Sequence, residues 1–220
     1  MLNPSQKLSQ VLSKSPQMGD LIQMHDGEFN LEVPQEISRA TINALTNGYT
    51  GYCDLTGVES LKKSLIEGCF HKHSKLYDPA EILVSNGSSQ ALFMLMKCIL
   101  SKGDEVLIPN PCWPAYISYI ELNDGIAVDY EMGTKRIDIA EIRKLVTSKT
   151  RALIINSPHN PTGSVLSRQE ILELVLLSQE FGFLLISDEA YEGIVFGSSE
   201  HVSPLDLMVD TSLLVVTRTF

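Results

Sequence analysis

The sequence has few of the features that mark secreted, membrane-bound or disulfide-stabilised proteins. Its four cysteines form no C-x-x-C pair, and 220 residues that are 44% apolar need no disulfide to build a core. The longest apolar run, 91–96, is too short to cross a bilayer, and the N-terminal 14 residues contain no apolar stretch typical of a signal peptide. We therefore predict a cytoplasmic protein with free thiols and no membrane segment.

Positive charge is also scarce. The 17 lysines and arginines are outnumbered by 27 acidic residues, giving a net charge of −10 without a basic cluster. This balance argues against a nucleic acid or an anionic membrane as partner. The sequence contains neither G-x-S-x-G nor G-x-x-x-x-G-K-[ST], so it lacks the signatures of an α/β-hydrolase and of a P-loop. We expect no metal site, because the H-x-H pair of His71 and His73 has no third ligand nearby.

The sequence does contain a regular alternation of strand and helix patterns. Strands are predicted at 81–85, 104–109, 126–130, 151–156, 183–188 and 212–217, and helices at 58–70, 88–100, 113–122, 137–146 and 168–181. Helix 88–100 has almost no polar side and is expected to be buried. Helix 58–70 shows Val58, Leu61, Leu65 and Cys69 on one face, with a period of 3.6 residues. This alternation predicts an α/β fold of three layers, a mostly parallel sheet flanked by helices.

Polar residues follow two of the predicted strands. Asp188 ends the apolar run 183–186, and the segment 157–163, rich in Asn, Pro and Gly, follows strand 151–156. The carboxyl ends of parallel strands meet at one edge of a sheet, where ligands bind. A carboxylate at this edge favours a cationic partner.

Five motifs occur in a fixed order along the chain. Tyr52 precedes Gly57 by five residues, a Gly-Ser turn at 86–91 opens a helix, and Trp113 lies in the Pro-rich turn 110–116. Asn-Pro-Thr-Gly at 160–163 and Asp188-x-x-Tyr191 follow. In this order the motifs resemble those of the fold-type I pyridoxal phosphate enzymes, and among them the class I/II aminotransferases.

The resemblance implies a fold, a reaction and an assembly. Residues 1–48 would form an N-terminal arm and part of a small domain, and 49–220 a cofactor-binding large domain that is incomplete at its C-terminus. The reaction would transfer an amino group between an amino acid and a 2-oxo acid by a ping-pong route, with pyridoxal 5'-phosphate as cofactor. The enzyme would be a homodimer with shared active sites.

The resemblance also assigns roles to two catalytic residues and their neighbour. Asp188 would pair with the ring nitrogen of the cofactor and keep it protonated. Tyr191 and Asn160 would hydrogen-bond the phenolate oxygen of the ring, and the Asn160–Pro161 bond would be cis.

The remaining roles concern the phosphate and the ring face. Trp113 would stack on the ring, and Tyr52 would reach the phosphate of the neighbouring subunit's cofactor, with Tyr49 as the alternative if the register slips. The phosphate of the chain's own cofactor would be bound by a helix N-terminus and hydroxyl groups, supplied by Gly87, Ser88, Ser89 and Thr219.

The lysine that forms the Schiff base in this family follows a Thr/Ser-x-Ser stretch, which Thr219 would open. None of the lysines in the sequence occupies the matching position, and Lys72, Lys135 and Lys149 lie in polar stretches typical of surface. We therefore expect the chain to be the N-terminal part of an aminotransferase and inactive as it stands. Segment 24–30 only partly resembles the family pattern, with Phe29 in place of proline, and the arginine that binds the substrate carboxylate would lie beyond this chain.

Two alternatives remain open at this point. A carbon–sulfur lyase or related synthase of the same fold shares these motifs, and the sequence does not separate it from an aminotransferase. A non-catalytic, cofactor-sensing domain is the second alternative. It predicts a basic DNA-binding segment before the domain, which residues 1–48 do not contain.

Overall fold

The computed structural model describes residues 31–70, 77–132, 137–207 and 210–219, and these form a parallel sheet covered by helices. The five strands are β1 Glu105–Asn110, β2 Ile126–Glu131, β3 Thr150–Asn156, β4 Leu184–Asp188 and β5 Leu214–Thr217. They lie in the order β2-β1-β3-β4-β5, and every pair is parallel. The predicted α/β fold with a parallel sheet is confirmed.

The described residues also form α-helices, which are α1 Gln35–Thr46, α2 Glu59–Leu65, α3 Gly87–Ile99, α4 Ala115–Glu121, α5 Ile139–Leu145 and α6 Arg168–Phe181, with a π-helical turn Ile66–Phe70 and 3-10 turns Pro79–Glu81 and Pro204–Asp206. The first three precede the sheet in the chain, and α4, α5 and α6 each connect two consecutive strands. The limits of α6 have clear causes. Ser167 and Glu170 form a capping box at its start, and Gly182 ends it with a φ of +74°, a conformation that glycine adopts without strain.

Two apolar layers, one on each face of the sheet, hold the fold together. Successive strand residues point to opposite faces, so Leu153 and Ile155 of β3 pack under α5 and α6, whereas Ala152 and Ile154 pack under α3 and α4. All four are at most 1% exposed. Burial of both faces explains why these strands are continuous apolar runs, and it confirms the three-layer arrangement.

One predicted strand is wrong. Residues 79–81 form a 3-10 turn and 82–85 form no strand, although the backbone of Ile82 is extended. Val84 donates its amide to the carbonyl of Thr56 instead, and Gly57, whose added Cβ would meet Val84 at 2.5 Å, allows this close approach. A strand requires a partner, and within the described part of the chain no strand lies beside 82–85.

The predicted burial of helix 88–100 is also wrong, and the apolar face of α2 is only partly covered. In α2 Leu61 and Leu65 are partly buried, Lys62 is buried, and Val58, which precedes the helix, is 48% exposed. In α3 only Leu92 and Met96 are buried, whereas Phe93 and Met94 are about two-fifths exposed at 39% and 42%. Both helices therefore present apolar side chains on their open sides in the described structure.

Several sequence predictions fall outside the described residues. His71, His73, Lys72, Lys135 and segment 24–30 are among them. Lys149 is described and exposed, in the turn before β3, as predicted. Among the described residues no helix has the length and apolar character needed to span a bilayer.

Candidate functional site

A cavity of about 340 Å³ opens where β3 and β4 end. Seven of the nine predicted site residues line it: Ser88, Ser89, Trp113, Asn160, Asp188, Tyr191 and Thr219. The register of the sheet explains this convergence, because Asn156 at the end of β3 lies directly beside Asp188 at the end of β4. The loops that follow both strands therefore leave the sheet at the same edge.

The other two predicted residues do not line this cavity. Gly87 starts α3 with a φ of +72° and lines the adjoining hollow together with Thr219. Tyr52 is fully exposed. Within a single chain, the structure therefore does not bring Tyr52 to the predicted site.

Asp188 is the buried charge of the cavity, with 4% of the residue exposed. Its Oδ2 accepts a hydrogen bond from Tyr116 Oη at 2.5 Å, and its Oδ1 accepts longer bonds from the Ala190 amide at 3.3 Å and Thr217 Oγ1 at 3.4 Å. Burial raises the pKa of Asp188, while these three hydrogen bonds oppose the shift. A cation arriving in the cavity would stabilise the ionised carboxylate.

Asn160 and Tyr191 lie together, as predicted. The Asn160 side-chain amide points to Tyr191 Oη at 3.5 Å, and the Asn160–Pro161 bond is cis, as predicted. Asn156 connects this pair to the sheet, because its Oδ1 accepts the Asn160 backbone amide at 2.7 Å and its Nδ2 donates to the Asp188 carbonyl at 2.9 Å. Asn156 therefore fixes the Asn160 loop relative to Asp188.

Hydroxyl groups and a helix N-terminus form another part of the cavity. Ser88 and Ser89 occupy the first turn of the 13-residue helix α3, and Thr219 Oγ1 lies 3.5 Å from Ser88 Oγ. In the described structure Asn86, which precedes this turn, makes no side-chain capping bond to it. A helix N-terminus with hydroxyls beside it favours an anion.

The indole of Trp113 forms an aromatic wall of the cavity. Tyr116 and Tyr119 both pack edge-on against it, with ring centroids at 5.5 and 5.9 Å and interplanar angles of 88° and 82°. Two perpendicular rings fix the plane of the indole. A flat ring is therefore the shape of ligand that this wall favours.

A second buried carboxylate, Glu189, lies behind the cavity. Its side chain is fully buried and accepts hydrogen bonds from Ser187 at 2.9 Å and Ser203 at 2.7 Å. Arg218 Nη2 lies 2.8 Å and His201 Nε2 3.3 Å from Glu189 Oε2. Burial alone would raise the pKa of Glu189, but the His201 contact, the Arg218 charge and Ser203 together hold it below its usual value.

The same group resembles a metal site in composition, since ligand atoms of Glu189, Glu192 and His201 lie within 4.8 Å of one another. The cation found among them is the Arg218 guanidinium, at 2.8 Å from Glu189 and 3.2 Å from Glu192. These ion pairs around Glu189 form a structural network, the Glu189 anchor. It joins the end of β4, the turn before Pro204–Asp206 and the end of β5, directly before Thr219.

Sequence reasoning missed Tyr116, Asn156 and the Glu189 anchor. Asn156 carries a usable signal, because it ends a predicted strand at the ligand edge. Tyr116 lies three residues after Trp113 in the Pro-rich turn 110–116, but its contact with Asp188 joins residues 72 positions apart. Glu189 lies inside the Asp188–Tyr191 motif, in which the resemblance assigns roles only to the first and last residues.

The cavity combines a carboxylate, an aromatic wall and an anion cradle, and none of the described lysines lines it. This donor set fits a flat, cationic ring that carries a phosphate. The carboxylate suits a protonated ring nitrogen, and the hydroxyls with the helix N-terminus suit the phosphate.

Comparison with known proteins agrees with this chemistry. A model of the family "Aminotransferase class I and II" matches residues 19–220. The chain is 35% identical over 209 residues to aspartate aminotransferase of Bacillus sp. (strain YM-2), covering 92% of this chain and 53% of that protein. The chain therefore spans about half the length of the curated relatives it matches.

Solved structures give the same result. An aspartate aminotransferase from Thermus thermophilus with maleate superposes with a TM-score of 0.85 at 31% identity, covering 97% of this chain and 55% of that one. An aromatic aminotransferase from Pyrococcus horikoshii OT3 superposes with a TM-score of 0.86 at 33% identity, covering 96% and 57%. With a family match over most of its length, a shared fold and four of the five motifs gathered at one cavity, this chain belongs to the class I and II aminotransferases, a pyridoxal phosphate-dependent family.

Proposed function

We propose that this chain binds pyridoxal 5'-phosphate and forms the cofactor-holding part of an enzyme that transfers an amino group between an amino acid and a 2-oxo acid. The observation that carries the proposal is the convergence of Asp188, Trp113 and the Ser88–Thr219 pair on one cavity. The aminotransferase names of the relatives support amino transfer over the lyase alternative.

Each residue has a definite task in this proposal. The bound cofactor supplies an electron-withdrawing ring that facilitates cleavage of a bond at the substrate α-carbon. Asp188 holds a proton on the ring nitrogen through a charge-assisted hydrogen bond, and Trp113 keeps the ring plane fixed. The phosphate is bound by Ser88, Ser89, Thr219 and the start of α3 at Gly87.

Tyr191 and Asn160 act on the ring oxygen. Both side chains can donate a hydrogen bond, and their mutual distance of 3.5 Å allows both to approach one acceptor. Their donation stabilises negative charge on that oxygen. The Asn156 bridge keeps this pair in register with Asp188.

Proton transfer at the substrate α-carbon would be carried out by the lysine of the family. The described lysines lie outside the lining of this cavity, and no lysine of the sequence stands at the position where the family has its own. We therefore expect the chain alone to bind cofactor without turning over substrate.

We further propose a homodimer in which Tyr52 serves the neighbouring site. Tyr52 is fully exposed, and α1 has no buried residue and exposes Ile37, Ile42 and Leu45 by 57–61%. A second copy would cover these side chains. The alternative residue, Tyr49, is 82% exposed and stays a second candidate. A cytoplasmic location remains a prediction, in keeping with the free thiols of Cys53, Cys98 and Cys112.

Pyridoxamine phosphate tests the binding proposal, because it has no aldehyde and cannot react with surface lysines. Trp113 is the single tryptophan, so its fluorescence reports on this cavity alone. We expect saturable quenching on titration. The double variant Ser88→Ala/Ser89→Ala should weaken binding about tenfold or more, since it removes two hydrogen bonds to a charged group.

Two controls make the result specific. Pyridoxamine without phosphate should bind the double variant and the unchanged chain equally, and Ser64→Ala, an exposed serine on α2, should bind like the unchanged chain. Quenching that does not saturate, or equal loss for both ligands, would contradict the proposed phosphate site.

A further inference from the structure

Asp188 is held by one hydrogen bond that is much shorter than the others. Tyr116 Oη contacts Oδ2 at 2.5 Å, whereas the Ala190 amide and Thr217 Oγ1 reach Oδ1 at 3.3 and 3.4 Å. Distances in the latter range correspond to weak bonds. The orientation of the carboxylate therefore depends mainly on Tyr116.

The ring of Tyr116 is itself immobilised. The residue is 1% exposed and packs with Val106, Ile154 and Ile186 in the apolar layer between the sheet and helices α3 and α4. Its edge also contacts Trp113. A buried phenol needs a partner for its hydroxyl, and burial beside Asp188 raises the pKa of Tyr116 well above its usual value, so the hydroxyl remains a neutral donor.

The two oxygens of Asp188 are thus used unequally. Oδ2 is occupied by the short bond from Tyr116, while the contacts of Oδ1 are long enough to be replaced by a stronger donor. A protonated ring nitrogen is such a donor, because its hydrogen bond to a carboxylate is charge-assisted.

We propose that Tyr116 is the positioning residue of Asp188: its hydroxyl fixes the carboxylate in the orientation that receives the ring nitrogen of the cofactor. This inference rests on the proposed cofactor site. Tyr116 would act on the ligand through Asp188, so its hydroxyl should strengthen only the interaction with the ring nitrogen.

The test compares two ligands that differ in that atom. Pyridoxamine phosphate carries the ring nitrogen, and its deaza analogue carries a C–H group there. In the unchanged chain we expect pyridoxamine phosphate to bind more tightly than the analogue. Tyr116→Phe should raise its Kd about tenfold, the effect of losing one hydrogen bond to a charged group, and should leave the Kd of the analogue unchanged.

Two further variants separate positioning from packing. Tyr130→Phe removes an equally buried hydroxyl, 2% exposed, whose hydrogen bond goes to the Ile154 carbonyl at 2.9 Å on the other side of the sheet. Its melting temperature shows the change expected from the loss of one buried hydroxyl. This variant should still bind pyridoxamine phosphate more tightly than the deaza analogue. Thr217→Val should reduce discrimination less than Tyr116→Phe, because its bond is longer.

The outcomes are distinguishable. Equal weakening of both ligands in Tyr116→Phe would mean that Tyr116 only shapes the cavity, and preserved discrimination would mean that it does not act on Asp188. Loss of discrimination in Thr217→Val as complete as in Tyr116→Phe would also overturn the inference. Failure of the unchanged chain to bind either ligand would refute the proposed function itself, and the inference with it.

Discussion

Removal of the Glu189 charge should destabilise the chain far more than removal of a charge from an exposed ion pair with a similar distance between its partners. Glu189 is fully buried and its partner Arg218 has 11% of its side chain exposed, at 2.8 Å. Breaking a buried pair by removing one partner costs about 3–5 kcal/mol. Arg218 retains Glu192 at 3.2 Å, so we expect the lower end of this range, about 3 kcal/mol, for Glu189→Gln.

The effect should depend on pH in a defined direction. Because the pKa of Glu189 is below its ordinary value of 4.5 in the folded chain, its stabilising contribution is present above that value and is lost as pH falls through the lowered pKa. The difference in unfolding free energy between the unchanged chain and Glu189→Gln should therefore be largest near neutral pH and shrink below 4.5. Urea unfolding followed by circular dichroism at a series of pH values measures it.

Glu180→Gln is the matched control. Glu180 makes a two-pronged ion pair with Arg143 at 2.5 and 2.8 Å, as close as the buried pair, but half of its side chain is exposed. Solvent screens such a pair, so its removal should change stability only slightly. Equal losses in the two variants, or a Glu189 effect that does not change with pH, would mean that burial does not set the strength of the Glu189 ion pair.

Three further predictions follow from burial. Burial raises the pKa of Asp188 above its ordinary value of 3.8, so this carboxyl group favours folding at low pH and this contribution is lost as pH rises. Without ligand and near neutral pH, Asp188→Asn should therefore have a higher melting temperature than the unchanged chain, and the difference should vanish below pH 3.8. Burial raises the pKa of Cys112 to about 11, so iodoacetamide should alkylate the exposed Cys53 and Cys98 first; peptide mass spectrometry that finds Cys112 modified equally fast would contradict this. Ile154→Ala should cost about 2–5 kcal/mol in urea unfolding, because it opens a cavity between β3 and α4; a loss under about 1 kcal/mol would show that the layer repacks.

The sheet could be predicted from the sequence because its strands are buried on both faces. Runs such as β3, where Ala152 to Ile155 are all buried, are continuous and apolar for that reason. Segment 82–85 has the same local pattern but no strand beside it in the described structure. Pairing is a property of two segments, and one segment's composition does not determine it.

The open faces of the helices could not be predicted either. The apolar content of α3 predicts burial all round, yet Phe93 and Met94 are partly exposed in the described structure. Apolar composition indicates that a surface will be covered, but it does not identify what covers it.

The candidate site also contains both residues that could be predicted from the sequence and residues that could not. Ser88, Asn160 and Asp188 could be predicted, because each lies at a strand end or helix start that local sequence marks. Tyr116 could not, since its contact with Asp188 depends on how α4 packs against β4. Side chains that position a functional group are found from the three-dimensional contacts.

A crystal structure of the chain with pyridoxamine phosphate would show directly whether the cavity is the cofactor site. We predict that the ligand lies in the cavity, with its ring nitrogen at hydrogen-bond distance from Asp188, its ring against Trp113 and its phosphate bound by Ser88, Ser89 and Thr219. A ligand in the opposite orientation, or bound elsewhere on the chain, would refute the proposed site.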